Sequence, residues 1–191
     1  YYPPAEPRGE SVVQVIAGSP GAGRFATYAM FLLAIGAARR SLDITNPYFL
    51  PDDAITDALI DAARRGVRVR ILAPGPIDYN LVRRLSRGGF GRLLESGVEI
   101  YEYGPALLHS KTMVVDGVWA TVGSANLDNR SFAINAELNV GVSDAAFAAQ
   151  LDRAFSDDLR FARKVDYERW SARGLGQFLI ELVAAPLRDL L

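Results

Sequence analysis

Leu108-His109-Ser110-Lys111-Thr112-Met113-Val114-Val115-Asp116-Gly117-Val118-Trp119-Ala120-Thr121-Val122-Gly123-Ser124-Ala125-Asn126 is the stretch on which the fold turns. An Asp-Gly pair between β-branched and apolar runs is a strong hairpin signal. The reading is therefore a strand up to Val115, a turn at Asp116-Gly117 and a return strand over Val118–Val122. The chain's 1 His lies here, and Lys111 follows it at i+2. In a strand those positions share a face, so the sequence predicts an imidazole and an ammonium projecting side by side. The return strand runs into Gly123-Ser124-Ala125-Asn126, which brings a hydroxyl and a carboxamide back to the same end.

The flanking sequence alternates between helical and extended patterns. Val12–Ala17, Ser41–Thr45, Val67–Leu72, Val98–Tyr103 and Ala136–Val142 read as strands. Arg24–Arg39 reads as an apolar helix, and Asp144 to about Arg163 as a late amphipathic one. Asp52 caps a helix that carries Ile55, Ala58, Leu59 and Ala62 on one stripe and stops at Gly66. Ile77–Ser96 is helical with an interruption at Gly88-Gly89. Such alternation predicts an α/β fold, a mixed β-sheet flanked by helices on both faces. Glu137 lies in the Ala136–Val142 strand, an acid in an apolar setting.

Composition sets bounds on function. A chain of 191 residues, 50% apolar and 23% charged, fits one globular domain. The net charge of -1 gives no basic field of the kind that tracks nucleic acid. With 0 Cys there is neither a disulfide nor a thiolate metal site. No acidic cluster points to a metal, and no apolar run reaches the length of a membrane span. Residues 1–11, opening Tyr1-Tyr2-Pro3-Pro4, read as a linker, residues 12–165 as the domain, and residues 166–191 as an amphipathic tail of that domain.

His109-x-Lys111, then Asp116, then Gly123-Ser124-x-Asn126 resembles the HKD motif of the phospholipase D superfamily, and Glu137 matches the acid that follows in that family. The likeness extends to Asn46-Pro47-Tyr48-Phe49-Leu50-Pro51-Asp52, Gly66–Leu72, Gly97–Tyr101, Asn126–Phe132 and Pro186–Leu191, and it is to the C-terminal half of bacterial cardiolipin synthases. The resemblance implies a phospholipase D half-domain with His109, Lys111, Asp116 and Glu137 as catalytic residues. Lys111, Ser124 and Asn126 would bind the substrate phosphate, without metal or cofactor. His109 would attack a phosphodiester phosphorus and form a phosphohistidine, with Glu137 orienting its ring.

Plainer readings stand beside these. A lone strand histidine is usually structural, Asp116 in an Asp-Gly pair suits a turn better than chemistry, and Ser124 and Asn126 suit turns. Glu137 has Arg130 as an alternative partner. One imidazole cannot act as both nucleophile and leaving-group acid. A second HKD half, in the same chain or in a homodimer mate, is therefore expected.

Three functions compete: phosphatidyl transfer on a phosphatidylglycerol-like lipid, a homodimeric phosphodiesterase or nuclease, and a non-catalytic half that completes a partner. The first brings an expectation of membrane association, with Leu175, Phe178, Leu179, Leu182, Val183, Leu187, Leu190 and Leu191 as an apolar stripe and Arg83, Arg84, Arg87 and Arg92 as a basic patch. The stripe equally suits packing on the domain, and the patch a solvated helix face.

Overall fold

The computed structural model describes residues 9–20, 25–75 and 86–172. Its described strands form one 8-stranded sheet in the order β1-β7-β6-β5-β2-β3-β4-β8. The strands are β1 Val12–Gly18, β2 Ser41–Thr45, β3 Arg68–Pro74, β4 Glu99–Tyr103, β5 Thr112–Val115, β6 Trp119–Gly123, β7 Glu137–Ser143 and β8 Ala162–Lys164. The helices are α1 Ala26–Ala37, α2 Asp53–Arg64, α3 Phe90–Glu95, α4 Asn129–Ala133, α5 Ala145–Leu159 and α6 Tyr167–Ser171. Only the β2–β3 and β3–β4 pairs are parallel, so the sheet is mixed as expected.

Both faces are covered. On one, Leu42, Ile44, Val69, Ile71, Ile100 and Met113 pack against Phe31, Ile35, Ile55, Leu59, Phe90 and Leu93 of α1, α2 and α3. On the other, α5 sets Ala148, Phe147 and Leu151 on Val114 and Ala120, and Phe155 on Leu72 and Leu108. The Asp52 carboxylate accepts the Ile55 N–H at 2.9 Å, the predicted cap of α2.

The hairpin forms where it was expected. Asp116 and Gly117 both take positive φ, 55° and 68°, the left-handed pair that a two-residue turn between twisted strands requires. Asp116 also holds two distant segments together: its carboxylate accepts the backbone N–H of Arg39, Arg40 and Ser41 at 2.9, 2.7 and 2.9 Å. Partial burial pushes its pKa up, but the amides of Ser41, Arg40 and Arg39 outweigh that and leave it below the ordinary carboxylate value.

Asp116→Ala is therefore expected to destabilise the fold by about 2–3 kcal/mol, as loss of charge-assisted bonds to backbone donors. A depressed carboxylate contributes fully above its unfolded pKa of about 3.9, and the contribution fades as pH falls through the lower folded value. Denaturant midpoints of the two proteins should thus differ at pH 7 and converge in strong acid; equal midpoints at pH 7 would refute the anchoring role.

Three boundaries depart from expectation. His109 and Lys111 precede β5 rather than lying within it, because the ladder begins at Thr112 opposite Val122 and Thr45. The late helix ends at Leu159, and Ala162–Lys164 turns back as β8 along Tyr101–Tyr103. There Lys164 Nζ meets Glu99 at 2.6 Å and Arg163 meets Glu102 at 3.4 Å, so the edge strand is held by side-chain charges that no hydrophobic period announces. The short α4, capped by Asp128 on the Ser131 N–H at 2.7 Å, was read only as part of a motif. Residues 77–85 of the expected Ile77–Ser96 helix lie outside the described residues, as does the apolar stripe after Gly174; over the remainder the helix is interrupted at Gly89, just before α3 begins.

Candidate active site

The candidate residues collect at the end of the sheet where β2 stops and β5 starts. Lys111 leads into β5, and its carbonyl accepts the Gly123 N–H at 3.2 Å. The ladder thereby fixes Lys111 beside the Gly123–Asn126 turn. Gly123 is required by close approach: a Cβ there would lie 2.1 Å from Asn139 Oδ1. On the other side, Leu127 donates its N–H to Asn46 Oδ1 at 3.2 Å and accepts the Leu50 N–H at 2.9 Å. The 46–50 segment is thus clamped onto the turn, and the Tyr48 ring meets the His109 ring edge-on at 6.4 Å.

His109 is exposed, whereas Lys111 is 9% exposed. The Lys111 ammonium donates to the His109 carbonyl at 2.9 Å and lies 3.2 Å from Nδ1 of its ring. Burial lowers the Lys111 pKa, opposed by the charges of Glu137 and Asp128. An exposed imidazole beside a nearly buried ammonium is an arrangement suited to a phosphoryl group: one group attacks, and the other carries charge that water screens little.

Glu137 is 8% exposed. Ser124 Oγ donates to its carboxylate, and Asn135 Nδ2 donates to it at 3.1 Å. The Leu138 N–H in turn donates to Ser124 Oγ at 3.0 Å. Glu137 is therefore held by Ser124 and Asn135, not by Arg130, and in this chain it is not the hydrogen-bond partner of the His109 ring. That contact belongs to Lys111.

Asn126 is placed by its backbone, which donates to Ser131 Oγ at 3.0 Å. Its side-chain Oδ1 is buried without a hydrogen-bond partner, in the turn that the Gly123 N–H ties to the Lys111 carbonyl. Burial, with the Glu137 charge adding, outweighs the bonds from Ser131 and pushes Asp128 up to about 6.

The site thus unites His109, Lys111, Ser124, Asn126 and Glu137, and excludes Asp116. The last sits beyond Val115 at the far end of β5, where it binds Arg39–Ser41. Asp116 thus occupies the turn that its Asp-Gly pair suits, apart from the other motif residues. A strand advances roughly 3.3 Å per residue, so the length of β5 separates Asp116 from the imidazole. Asn46, Tyr48, Ser131 and Asn135 were not singled out from the sequence as site residues. Only Ser131, at i+3 from Asp128, carried a local signal, that of a capped helix start. The basic patch is partly dismantled: Arg87 pairs with Glu102 at 3.3 Å and Arg92 with Asp57 at 2.5 Å, and Arg83 and Arg84 lie outside the described residues.

Comparison with known proteins places the chain in a family and its fold among solved structures. The family described as "Cardiolipin synthase, PLD-like domain" matches residues 31–159. Cardiolipin synthase A of Erwinia tasmaniensis is 40% identical over 93% of this chain and 37% of its own. A cardiolipin synthase of Geobacillus sp. is 42% identical over 96% of this chain and 36% of its own. The chain therefore spans little more than a third of the length of these relatives.

Two solved structures share the fold. The phospholipase D family member Nuc of Salmonella typhimurium has a TM-score of 0.71 at 23% identity, covering 82% of this chain and 99% of Nuc. The phosphatidylserine synthase of Haemophilus influenzae has a TM-score of 0.72 at 17% identity, covering 94% of this chain and 46% of the synthase. The fold and its cluster of imidazole, ammonium and amide define a phospholipase D-like half-domain. The chain belongs to the cardiolipin synthase PLD-like domain family.

Proposed function

We propose that this domain is one catalytic half of a phosphatidyltransferase acting on a phosphatidylglycerol-like phospholipid. The observation that carries the reading is the exposed His109 ring with the Lys111 ammonium 3.2 Å from Nδ1, on a residue whose carbonyl accepts the N–H of Gly123 at the start of the Ser124–Asn126 turn. In the first step Nε2 of His109 forms a bond to phosphorus and the bond from phosphorus to the leaving alcohol oxygen breaks. The leaving oxygen takes a proton from an acid outside this chain's single imidazole. In the second step an acceptor hydroxyl attacks, gives up its proton to the same group, and the N–P bond breaks. Lys111 and Asn126 hold the non-bridging oxygens as charge gathers there.

The ring contact supports the need for a second half. A charged Lys111 makes Nδ1 an acceptor, which places the ring proton on Nε2, the atom that must attack. Attack through Nε2 needs that proton moved to Nδ1 and a carboxylate facing it. Glu137, whose charge reaches Lys111, is our candidate positioning group, but here Ser124 and Asn135 hold it.

The sheet offers such a half a seat. Val13, Val15, Val122 and Leu138 are 55%, 64%, 40% and 52% exposed. By register they share the α5 face of β1, β7 and β6, with Leu138 directly following Glu137 along β7.

We place the reaction at a membrane surface, with the protein held peripherally through this domain; among the described residues no helix is long and apolar enough to cross a bilayer. The near-neutral charge favours a lipid over nucleic acid as substrate. The test is to supply the protein, assembled with its second half, with labelled phosphatidylglycerol or with DNA. Transfer or hydrolysis of the lipid is expected. Cleavage of DNA alone would replace the lipid reading with the phosphodiesterase one, and inactivity on both would leave a half that only completes a partner.

A further inference from the structure

From Phe25 to Ala38 the sequence holds no charged residue. Helix α1 within it is apolar on every side, yet buries only Thr27, Phe31 and Ile35. Phe25 is 64% exposed and Leu33 74%. A helix that is hydrophobic all round is normally enclosed, and among the described residues nothing encloses the outer side of this one. Between that side and the sheet lies a cavity of about 410 Å³, within the range of small-ligand pockets. Ile16 of β1, Met30 and Leu33 of α1, Val115 of β5 and Trp119 of β6 line it. Among the described residues, Gln14 and the Trp119 indole supply its polar side-chain groups.

The position of the cavity identifies its ligand. Ile16 pairs with Asn139 and Gly18 with Glu137, so the upper end of the groove lies two strand residues from Glu137, roughly 7 Å along the sheet. Asn139 Nδ2 donates to Thr27 Oγ1 at 3.5 Å, which ties the start of α1 to the Gly123 turn. From Ala26 to Ala37 the helix then leads away from the site for roughly 16 Å. A groove whose described lining is almost wholly apolar, and whose upper end lies close to Glu137, fits a hydrocarbon chain joined to a phosphate. An extended peptide segment fits poorly, because it would bring backbone N–H and C=O groups into a space with few described groups to pair them.

We infer that this groove takes one acyl chain of the phospholipid whose phosphodiester reaches His109; the inference rests on the phospholipid reading above. Each methylene withdrawn from water adds roughly fourfold in affinity. Blocking the groove should therefore cost more than tenfold for long chains and little for short ones.

The chain's 2 Trp make the test direct. Trp119 lines the groove, whereas Trp170 lies against α3, its indole N–H bonded to the Arg87 carbonyl at 2.8 Å. In the protein assembled with its second half, phosphatidylglycerol with brominated acyl chains should quench tryptophan fluorescence, and Trp119→Phe should remove that quenching. Ala29→Phe, which narrows the groove from its exposed side, should lower the preference for long-chain over dihexanoyl phosphatidylglycerol, measured as the ratio of kcat/KM values, at least tenfold. Phospholipid turnover with no Trp119 quenching and an unchanged ratio would overturn the groove and leave the proposed function standing. Trp119 quenching with no turnover of any phospholipid would support the groove and overturn the function.

Discussion

His109→Ala abolishes the covalent phosphoenzyme and lowers turnover by roughly 10⁴-fold or more, as loss of a nucleophile does in other covalent enzymes. With 1 His in the sequence, no other imidazole of this chain can replace it. The geometry makes the result interpretable. His109 is exposed, and its ring meets Lys111 Nζ at 3.2 Å and the Tyr48 ring edge-on at 6.4 Å. Alanine there removes no core packing, so the denaturant midpoint should stay within about 0.5 kcal/mol of the parent, as for surface substitutions.

The measurement is trapping of phosphorus-labelled intermediate in the assembled enzyme under alkaline quench, which preserves a phosphoramidate. Label found on this chain in the parent and lost in His109→Ala supports the assignment. Label persisting on another residue of this chain, or an unchanged rate, would refute it. Label carried only by the other half would reverse the roles and make His109 the proton donor.

The sequence revealed what is local. Asp52 before an amphipathic stripe, Asp116-Gly117 between β-branched runs, and the apolar runs of β3 and β7 each carry their cause within a few residues. The candidate site was legible because its polar residues crowd into one hairpin and the strand beside it. What stayed hidden depends on distant partners. That Asp116 anchors Arg39–Ser41 depends on a connection formed early in the chain. The clamp of Asn46 on Leu127 is likewise long-range. Strand β8 is three residues held by Glu99 and Glu102, too short for any period to register. His109 and Lys111 adjoin without a strand because the Lys111 side chain turns back onto the preceding carbonyl. The spacing was informative, and its structural reason differed from the one supposed.

Lys111→Met should lower kcat/KM by roughly 10²–10³-fold, the usual loss when one group that stabilises transition-state charge is removed. Here the effect belongs at the upper end. Lys111 is nearly buried, so its charge acts through little water, and of the two lysines in the chain it alone sits at the site. Methionine keeps most of the stem's apolar volume and relieves the desolvation of the ammonium, so the fold should be as stable as the parent or slightly more so.

The pH profile separates a chemical role from a structural one. Burial lowers the Lys111 pKa and the charges of Glu137 and Asp128 only partly restore it. The ammonium therefore loses its proton below the usual lysine range, and activity that needs it falls as pH rises through that lowered value. Lys111→Arg retains charge at any accessible pH. It should keep part of the activity and move the alkaline limb upward, even though the wider guanidinium fits the 3.2 Å contact with the imidazole less well. A loss of less than tenfold in Lys111→Met would remove Lys111 from the phosphate-binding role. An alkaline limb that stays fixed in Lys111→Arg would assign that titration to another group.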